Sequence, residues 1–246
     1  MTNTKIQWTE KTWNPVTGCT KFSQGCVNCY AEGMAKRLQG MGIDSYKNGF
    51  KLTLHADKLD EPKKIKKPSM FFVCSMADLF HKDVPFEFIE KVMDTIEACP
   101  QHTFQLLTKR AQRMFEFFSQ RRPVPQNAWV GVTVENKDVL ERIDILGQTP
   151  CHSVRFLSCE PLLSDLGDID LKDIDWVIVG GESGPHARPM EKEWVLNIKK
   201  QCEKQSVAFF FKQWGTYGED GVRRDKKFNG SLLDGELYQA YPQIIK

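Results

Sequence analysis

Six short apolar runs of strand length recur along this 246-residue chain, and polar or helix-like segments lie between most of them. They are Met70–Cys74, Thr103–Leu107, Trp129–Val134, Val154–Leu157, Trp176–Val179 and Val207–Phe211. Each is continuous in its apolar residues rather than alternating, which is the pattern of strands buried on both faces of a parallel sheet. Between them, Pro85–Cys99 places Phe88, Ile89, Val92, Met93 and Ile96 at helical spacing, and Ala111–Phe118, Val139–Leu146 and Glu193–Cys202 read as further amphipathic helices. Cys29–Gln39 also suits a helix, closed by Gly40 and Gly42. With Lys5–Thr9 as a first strand, the β-α alternation predicts an α/β fold: a partial or complete (β/α) barrel of six to seven parallel strands. An open doubly wound sheet is the alternative, and periodicity does not choose between them.

Composition narrows the class. Hydrophobic residues make up 41% and charged residues 27%, the balance of a globular chain rather than a disordered or fibrous one. Lys and Arg number 34 against 32 Asp and Glu, so any affinity for an anionic partner must come from local clusters. No repeat or long linker divides the sequence, which favours a single barrel domain over 1–246, with a loop at about 14–30 and a C-terminal extension at about 216–246. No run approaches a membrane span and the N-terminus carries no signal-peptide pattern, so no membrane partner is expected and the expected compartment is the cytoplasm.

Polar residues gather just after the apolar runs: Ser75 and Asp78; Lys109 and Arg110; Glu135 and Asn136; Ser158, Cys159 and Glu160; Gly180, Gly181 and Glu182; Lys212 and Trp214. In α/β folds the loops at the carboxyl ends of the strands converge on the ligand. Cys159, Glu160 and Glu182 are the candidate catalytic side chains, with Cys159 placed to face that mouth.

Cys19, Cys26 and Cys29 fall within eleven residues, and the last two form a C-x-x-C. Three thiolates are a soft donor set for an iron–sulfur cluster or for zinc. A structural zinc site wants a fourth ligand, and the next donors, His55, Cys74 and His81, are distant in sequence. A [4Fe-4S] cluster held by three cysteines keeps one iron open, the arrangement that binds S-adenosylmethionine in radical S-adenosylmethionine (SAM) enzymes. A redox disulfide between Cys26 and Cys29 would need no third thiol. Of the other five cysteines, Cys74, Cys99, Cys151 and Cys202 sit among apolar neighbours, as buried free thiols do, and Cys159 is the exception, at a strand end beside Glu160.

Trp8–Cys19, the triplet itself, Ser75–His81, Leu107–Arg110, Gly131–Asn136, Phe156–Leu162, Val179–Gly184, Phe211–Gly215 and Leu232–Gly235 together resemble the phage- and bacteria-associated three-Cys-motif family of unknown function, related to radical SAM proteins such as spore photoproduct lyase. The resemblance spans nearly the whole chain. It implies a (β/α) partial barrel, metal ligation by Cys19, Cys26 and Cys29, a [4Fe-4S] cluster with SAM as cofactor, and a three-Cys-motif partner protein.

A radical SAM enzyme also needs an electron donor of the reductase or flavodoxin type. The cofactor-binding residues expected are Ser75 and Asp78 toward the amino group or ribose, Glu135 and Asn136 toward ribose hydroxyls, and Lys109 with Arg110 toward a carboxylate or phosphate. Ser158, Gly180, Gly181 and Glu182 complete the set. The triplet departs from the commoner radical SAM spacing: six residues separate the first two cysteines instead of three, and the aromatic Tyr30 follows the third cysteine rather than preceding it. Gly180-Gly181-Glu182 resembles a glycine-glycine-glutamate segment that holds the methionine amino group, but it follows the sixth strand rather than the second.

Basic clusters at Lys63, Lys64, Lys66 and Lys67, at Arg121 and Arg122, and at Arg223, Arg224, Lys226 and Lys227 are the places for nucleic acid, the last accompanied by Trp214, Tyr217 and Phe228. Hydrolase and P-loop signatures are absent. The expected activity is hydrogen abstraction by a 5′-deoxyadenosyl radical from a nucleotide or nucleic-acid base. The alternative is a non-catalytic zinc- or cluster-stabilised module that binds nucleic acid or protein.

Overall fold

The computed structural model describes residues 2–243; residues 244–246 of the expected C-terminal extension lie outside them. An eight-stranded sheet consists of a short edge strand, Thr2–Asn3, that pairs antiparallel with the first of seven longer-range strands: β1 (Lys11–Trp13), β2 (Met70–Val73), β3 (Thr103–Thr108), β4 (Ala128–Thr133), β5 (Arg155–Cys159), β6 (Trp176–Gly180) and β7 (Ala208–Gln213). They succeed one another in chain order, and the pairs β1–β2, β2–β3, β5–β6 and β6–β7 are parallel. The helices are α1 (Tyr30–Gly40), α2 (Phe86–Glu97), α3 (Ala111–Gln120), α4 (Glu141–Gln148) and α5 (Lys192–Lys204). No helix among the described residues is long and apolar enough to cross a membrane.

The chain gathers into two compact units. The first comprises the chain up to Phe22, Cys29–Gly131 and Thr149–Ser153; the second comprises Ser23–Asn28, Val132–Gln148 and everything from Val154 onward. Strand β4 begins in one and ends in the other.

In the first unit, continuous apolar strands become a core of aromatic contacts. Phe71 stacks on Phe104 with ring centres 5.3 Å apart, and Trp13 meets Phe104 edge-on at 5.8 Å. Such burial is worth about 1.5–3 kcal/mol per large side chain. The apolar face of α2 (Phe88, Ile89, Val92, Met93, Ile96) and that of α3 (Met114, Phe117, Phe118) are buried as their spacing predicts. The expected strand at Lys5–Thr9 is instead a turn, and the parallel ladder starts at Lys11. Trp8 drives that difference: its ring is buried against Phe72, and its carbonyl accepts Gln105 Nε2 at 3.1 Å, so backbone and side chain are committed before the parallel ladder begins. Helix α1 buries Ala31 and Ala35 against Tyr46 and Met76.

In the second unit, β5, β6 and β7 pair in register around Trp176, which stacks on Tyr241 at 5.1 Å. The outer edge of β7 is covered by the C-terminal segment. Phe211 N donates to Tyr238 O, and Phe210 bridges Gln239 in antiparallel sense. An uncovered edge would offer unpaired backbone groups to other chains. Side chains hold the cover as well: Tyr238 meets Phe209 edge-on, and Tyr241 meets both Trp176 and Phe210.

Candidate functional site

Three of the eight cysteines, Cys19, Cys26 and Cys29, are partly exposed, and the other five are buried. Burial pushes up the thiols of Cys74, Cys99, Cys159 and Cys202, the last to about 12, so these four stay protonated. Cys159 is therefore a core residue and not a group at the mouth; it closes a strand whose last four positions are all buried. Cys29 is the N-cap of α1, at the end of a helix whose first backbone N–H groups lack intrahelical partners.

The loop that carries the cysteines is built from charged clamps, and the first unit supplies one. Gly18 has φ +77°, and a Cβ there would lie 2.2 Å from Lys51 O, so only glycine lets the chain pass before Cys19. Gly18 N donates to Met76 O and Cys19 N to Phe50 O. One residue on, Thr20 Oγ1 lies 2.8 Å from His81 Nε2. The backbone N–H of Asp83 donates to His81 Nδ1, which leaves Nε2 as the protonated nitrogen, donating to Thr20. Arg110 Nη2 reaches both Thr20 oxygens at 3.3 Å, and its guanidinium lies over the Phe22 ring at 4.5 Å.

Asp78, expected as a cofactor ligand, is buried and spoken for. Its Oδ1 accepts Thr108 Oγ1 at 2.7 Å and Phe80 N at 2.9 Å; its Oδ2 accepts Lys109 N and lies 3.9 Å from Arg110 Nε. Burial and the neighbouring Arg110 charge both lower the pKa of His81, keeping the imidazole neutral. Ser75 donates to Asn14 Oδ1, and its carbonyl accepts the Tyr30 hydroxyl at 2.5 Å. The Lys109 ammonium has no partner among the described residues.

In the second unit, two more acidic residues grip the segment around Cys26. Glu135 has no exposed surface: Oε1 accepts the Ser23 hydroxyl and Gly25 N at 3.2 Å, and Oε2 accepts Arg142 Nη1 at 2.9 Å. Glu182 accepts Asn28 Nδ2 at 3.1 Å, Arg188 N and Nε each at 2.9 Å, and Arg188 Nη2 at 2.6 Å. Arg188 Nη1 continues to Gln24 O. Burial pushes the Glu182 carboxyl up, but the hydrogen bonds from Arg188 and Asn28 outweigh it and hold the pKa below the usual 4.5.

The residues expected at the cofactor thus divide. Glu135 and Glu182 hold the cysteine loop, Asp78 orders the Thr108–Arg110 turn, and Asn136 caps a short 3-10 turn by accepting Asp138 N. Ser158 is buried and donates to Glu160, whose other oxygen pairs with Lys212 at 2.6 Å. At Gly181 an added Cβ would sit 1.8 Å from Trp214 O, so only glycine lets that neighbouring backbone approach; at Gly180 it would meet Glu160 Oε1 at 3.0 Å. Trp214 is buried, its indole N–H donating to Leu232 O. Asn14, Thr20 and Arg142 were not singled out in the sequence as site residues, and His81 was considered only as a distant metal donor.

The soft thiols of Cys19, Cys26 and Cys29 suit an iron–sulfur cluster by donor type and by exposure. Among the described residues no three His, Cys, Asp or Glu side chains close on one point as ligands of a single metal ion do. A cubane makes no such demand, since each of its cysteines binds a different iron atom.

The fold is a partial (β/α) barrel of seven parallel strands, similar to that of spore photoproduct lyase. The chain superposes on spore photoproduct lyase complexed with dinucleoside spore photoproduct with a TM-score of 0.50 and 12% identity, covering 82% of this chain and 63% of that one. A cysteine-to-alanine mutant of the lyase with the same dinucleoside gives a TM-score of 0.50 at 13% identity, with the same coverage. This chain thus spans 63% of the lyase's length, and the likeness at such identity is one of fold. In sequence, residues 3–242 match the family described as protein of unknown function DUF5131, and the chain belongs to that family. No curated protein matches it.

Proposed function

We propose that this protein is a radical SAM-type enzyme in which Cys19, Cys26 and Cys29 hold a [4Fe-4S] cluster, and whose substrate is a nucleotide or a base within nucleic acid. The observation that carries the reading is the contrast among the cysteines: three partly exposed thiols sit on a loop held by buried charged clamps, while five are buried. A [4Fe-4S] cluster held by Cys19, Cys26 and Cys29 would supply one-electron reductive cleavage of SAM, with the electron from an external reductase or flavodoxin-type donor, and through it hydrogen-atom abstraction from substrate.

The chain's own residues position and orient. Glu135 with Arg142 and Glu182 with Arg188 hold Ser23–Asn28 in place around Cys26. Arg110 and His81 hold Thr20 beside Cys19. Lys109, whose ammonium has no partner among the described residues, and Ser75, partly exposed, are left to meet the cofactor's carboxylate and amino groups. The nucleotide class draws support from the lyase of similar fold, whose structures hold a dinucleoside photoproduct.

Anaerobic reconstitution tests the reading. The expected protein is brown, carries close to four irons per chain, and forms 5′-deoxyadenosine from SAM on reduction with dithionite; Cys26→Ala loses colour and product, and Cys202→Ala keeps both. Stoichiometric zinc with no iron would replace this reading with that of a zinc-stabilised binding module.

A further inference from the structure

The basic, aromatic-bearing stretch near the C-terminus reads differently in the structure than in the sequence. Of its three aromatics, Trp214 is buried and Tyr217 is half-buried, whereas Phe228 is 78% exposed, the most exposed large hydrophobic side chain among the described residues. A single exposed apolar residue is ordinary. The surroundings of this one are not.

Phe228 is fixed in place. It lies in the short helix Lys226–Asn229, capped by Asp225, whose carboxylate accepts Lys227 N at 2.8 Å. The next residue, Asn229, donates through Nδ2 to Gly215 O and Thr216 O, each at 3.0 Å, and Trp214 N donates to Gly230 O. The ring is thus presented by backbone tied to the end of β7.

The charges around it are sorted. Arg224 is neutralised by a two-pronged pair with Asp220, at 2.7 and 2.6 Å, and its guanidinium lies 5.6 Å from the Phe228 ring centre. Glu219 is taken by Lys192 at 2.7 Å. Lys226 and Lys227 form no ion pair among the described residues, and Arg223 donates only to the uncharged Pro185 carbonyl. Lys226 also feels the charges of Lys212 and Glu160, a pair anchored at the carboxyl ends of β7 and β5. Three cations that form no ion pair among the described residues thus lie within five residues of one exposed ring on the same stretch of chain.

We infer that Phe228 is a stacking platform for a base of single-stranded nucleic acid, with Lys226, Lys227 and Arg223 taking the flanking phosphates. Every base has a π-face, so an aromatic platform with cations beside it grips a single strand without reading its sequence. A duplex keeps its bases stacked on one another and gives this ring nothing to cover. The inference deepens the proposed function by naming how its substrate class is held.

Fluorescence anisotropy with labelled single-stranded DNA, single-stranded RNA and the matching duplex, at fixed salt, tests it without cluster or SAM. Failure here leaves the cluster reading intact, and iron content of the same wild-type preparation judges that reading separately. Saturable binding of a single strand is expected, weakened roughly five- to hundredfold by Phe228→Ala and preserved by Phe228→Trp. Replacing Lys226 and Lys227 together with Ala lowers the slope of log affinity against log salt by roughly 1.4. Unchanged melting of Phe228→Ala shows that the fold survives. Equal binding by Phe228→Ala and wild type, a preference for duplex that ignores Phe228, or no saturable binding of any single strand overturns the platform.

Discussion

The Glu135 carboxylate, wholly buried after β4, accepts the backbone N–H of Gly25, 110 positions earlier in the chain, at 3.2 Å. The same carboxylate is neutralised by Arg142 at 2.9 Å. A buried charge is tolerable only when paired and hydrogen-bonded, and here the pairing positions the residue before Cys26.

Removing one partner of that pair should cost more than removing both. Glu135→Ala strands the Arg142 guanidinium without its charge partner and is expected to destabilise by about 3–5 kcal/mol. Chemical denaturation reads this, and iron per chain after reconstitution should fall in parallel. A double replacement of Glu135 and Arg142 by residues of similar volume should recover stability without recovering iron; recovery of both would deny the clamp its positioning role.

Glu182 makes stability depend on pH in acid. Its folded pKa lies below the usual 4.5, so its contribution is complete above that value and is lost as pH falls through the folded pKa. Melting temperature measured from pH 6 down to pH 3 should fall less steeply in Glu182→Gln than in wild type. Parallel curves would contradict the assignment.

His81 acts at a higher pH with the same sign. Its pKa is lowered from the usual 6.5, so the unfolded chain binds the proton more readily than the native one, and stability declines as pH drops below about 6.5 toward the folded value. A neutral replacement, His81→Gln, should remove that part of the pH dependence between pH 7 and 5. The lost Thr20 contact should appear as an offset of about 1 kcal/mol at neutral pH.

Glycine-to-alanine changes should have opposite signs at two positions. At Gly33, inside α1, an added Cβ meets nothing within 4 Å, so Gly33→Ala is expected to stabilise by about 0.5–1 kcal/mol. At Gly181 the same atom would lie 1.8 Å from Trp214 O, and backbone must move. Thermal melting of the two variants, with Gly181→Ala strongly lowered or insoluble, checks this directly.

Local pattern alone determined most of the scaffold. Continuous apolar runs specify β2 to β7 and 3.6-residue spacing specifies α2, α3 and α5, because strand and helix burial leave periodic traces in neighbouring residues. The thiols set apart by spacing, Cys19, Cys26 and Cys29, are also the partly exposed ones. Tertiary structure decided what the strand-end polar residues do. Asp78, Glu135 and Glu182 look in sequence like free ligands after strands, yet each is consumed by partners up to 154 positions away. Partner choice of that kind is a long-range matter of geometry and desolvation, which no local periodicity records. For the same reason the turn around Trp8, the edge cover of β7 and the isolation of the Phe228 ring became legible only when the chain was folded.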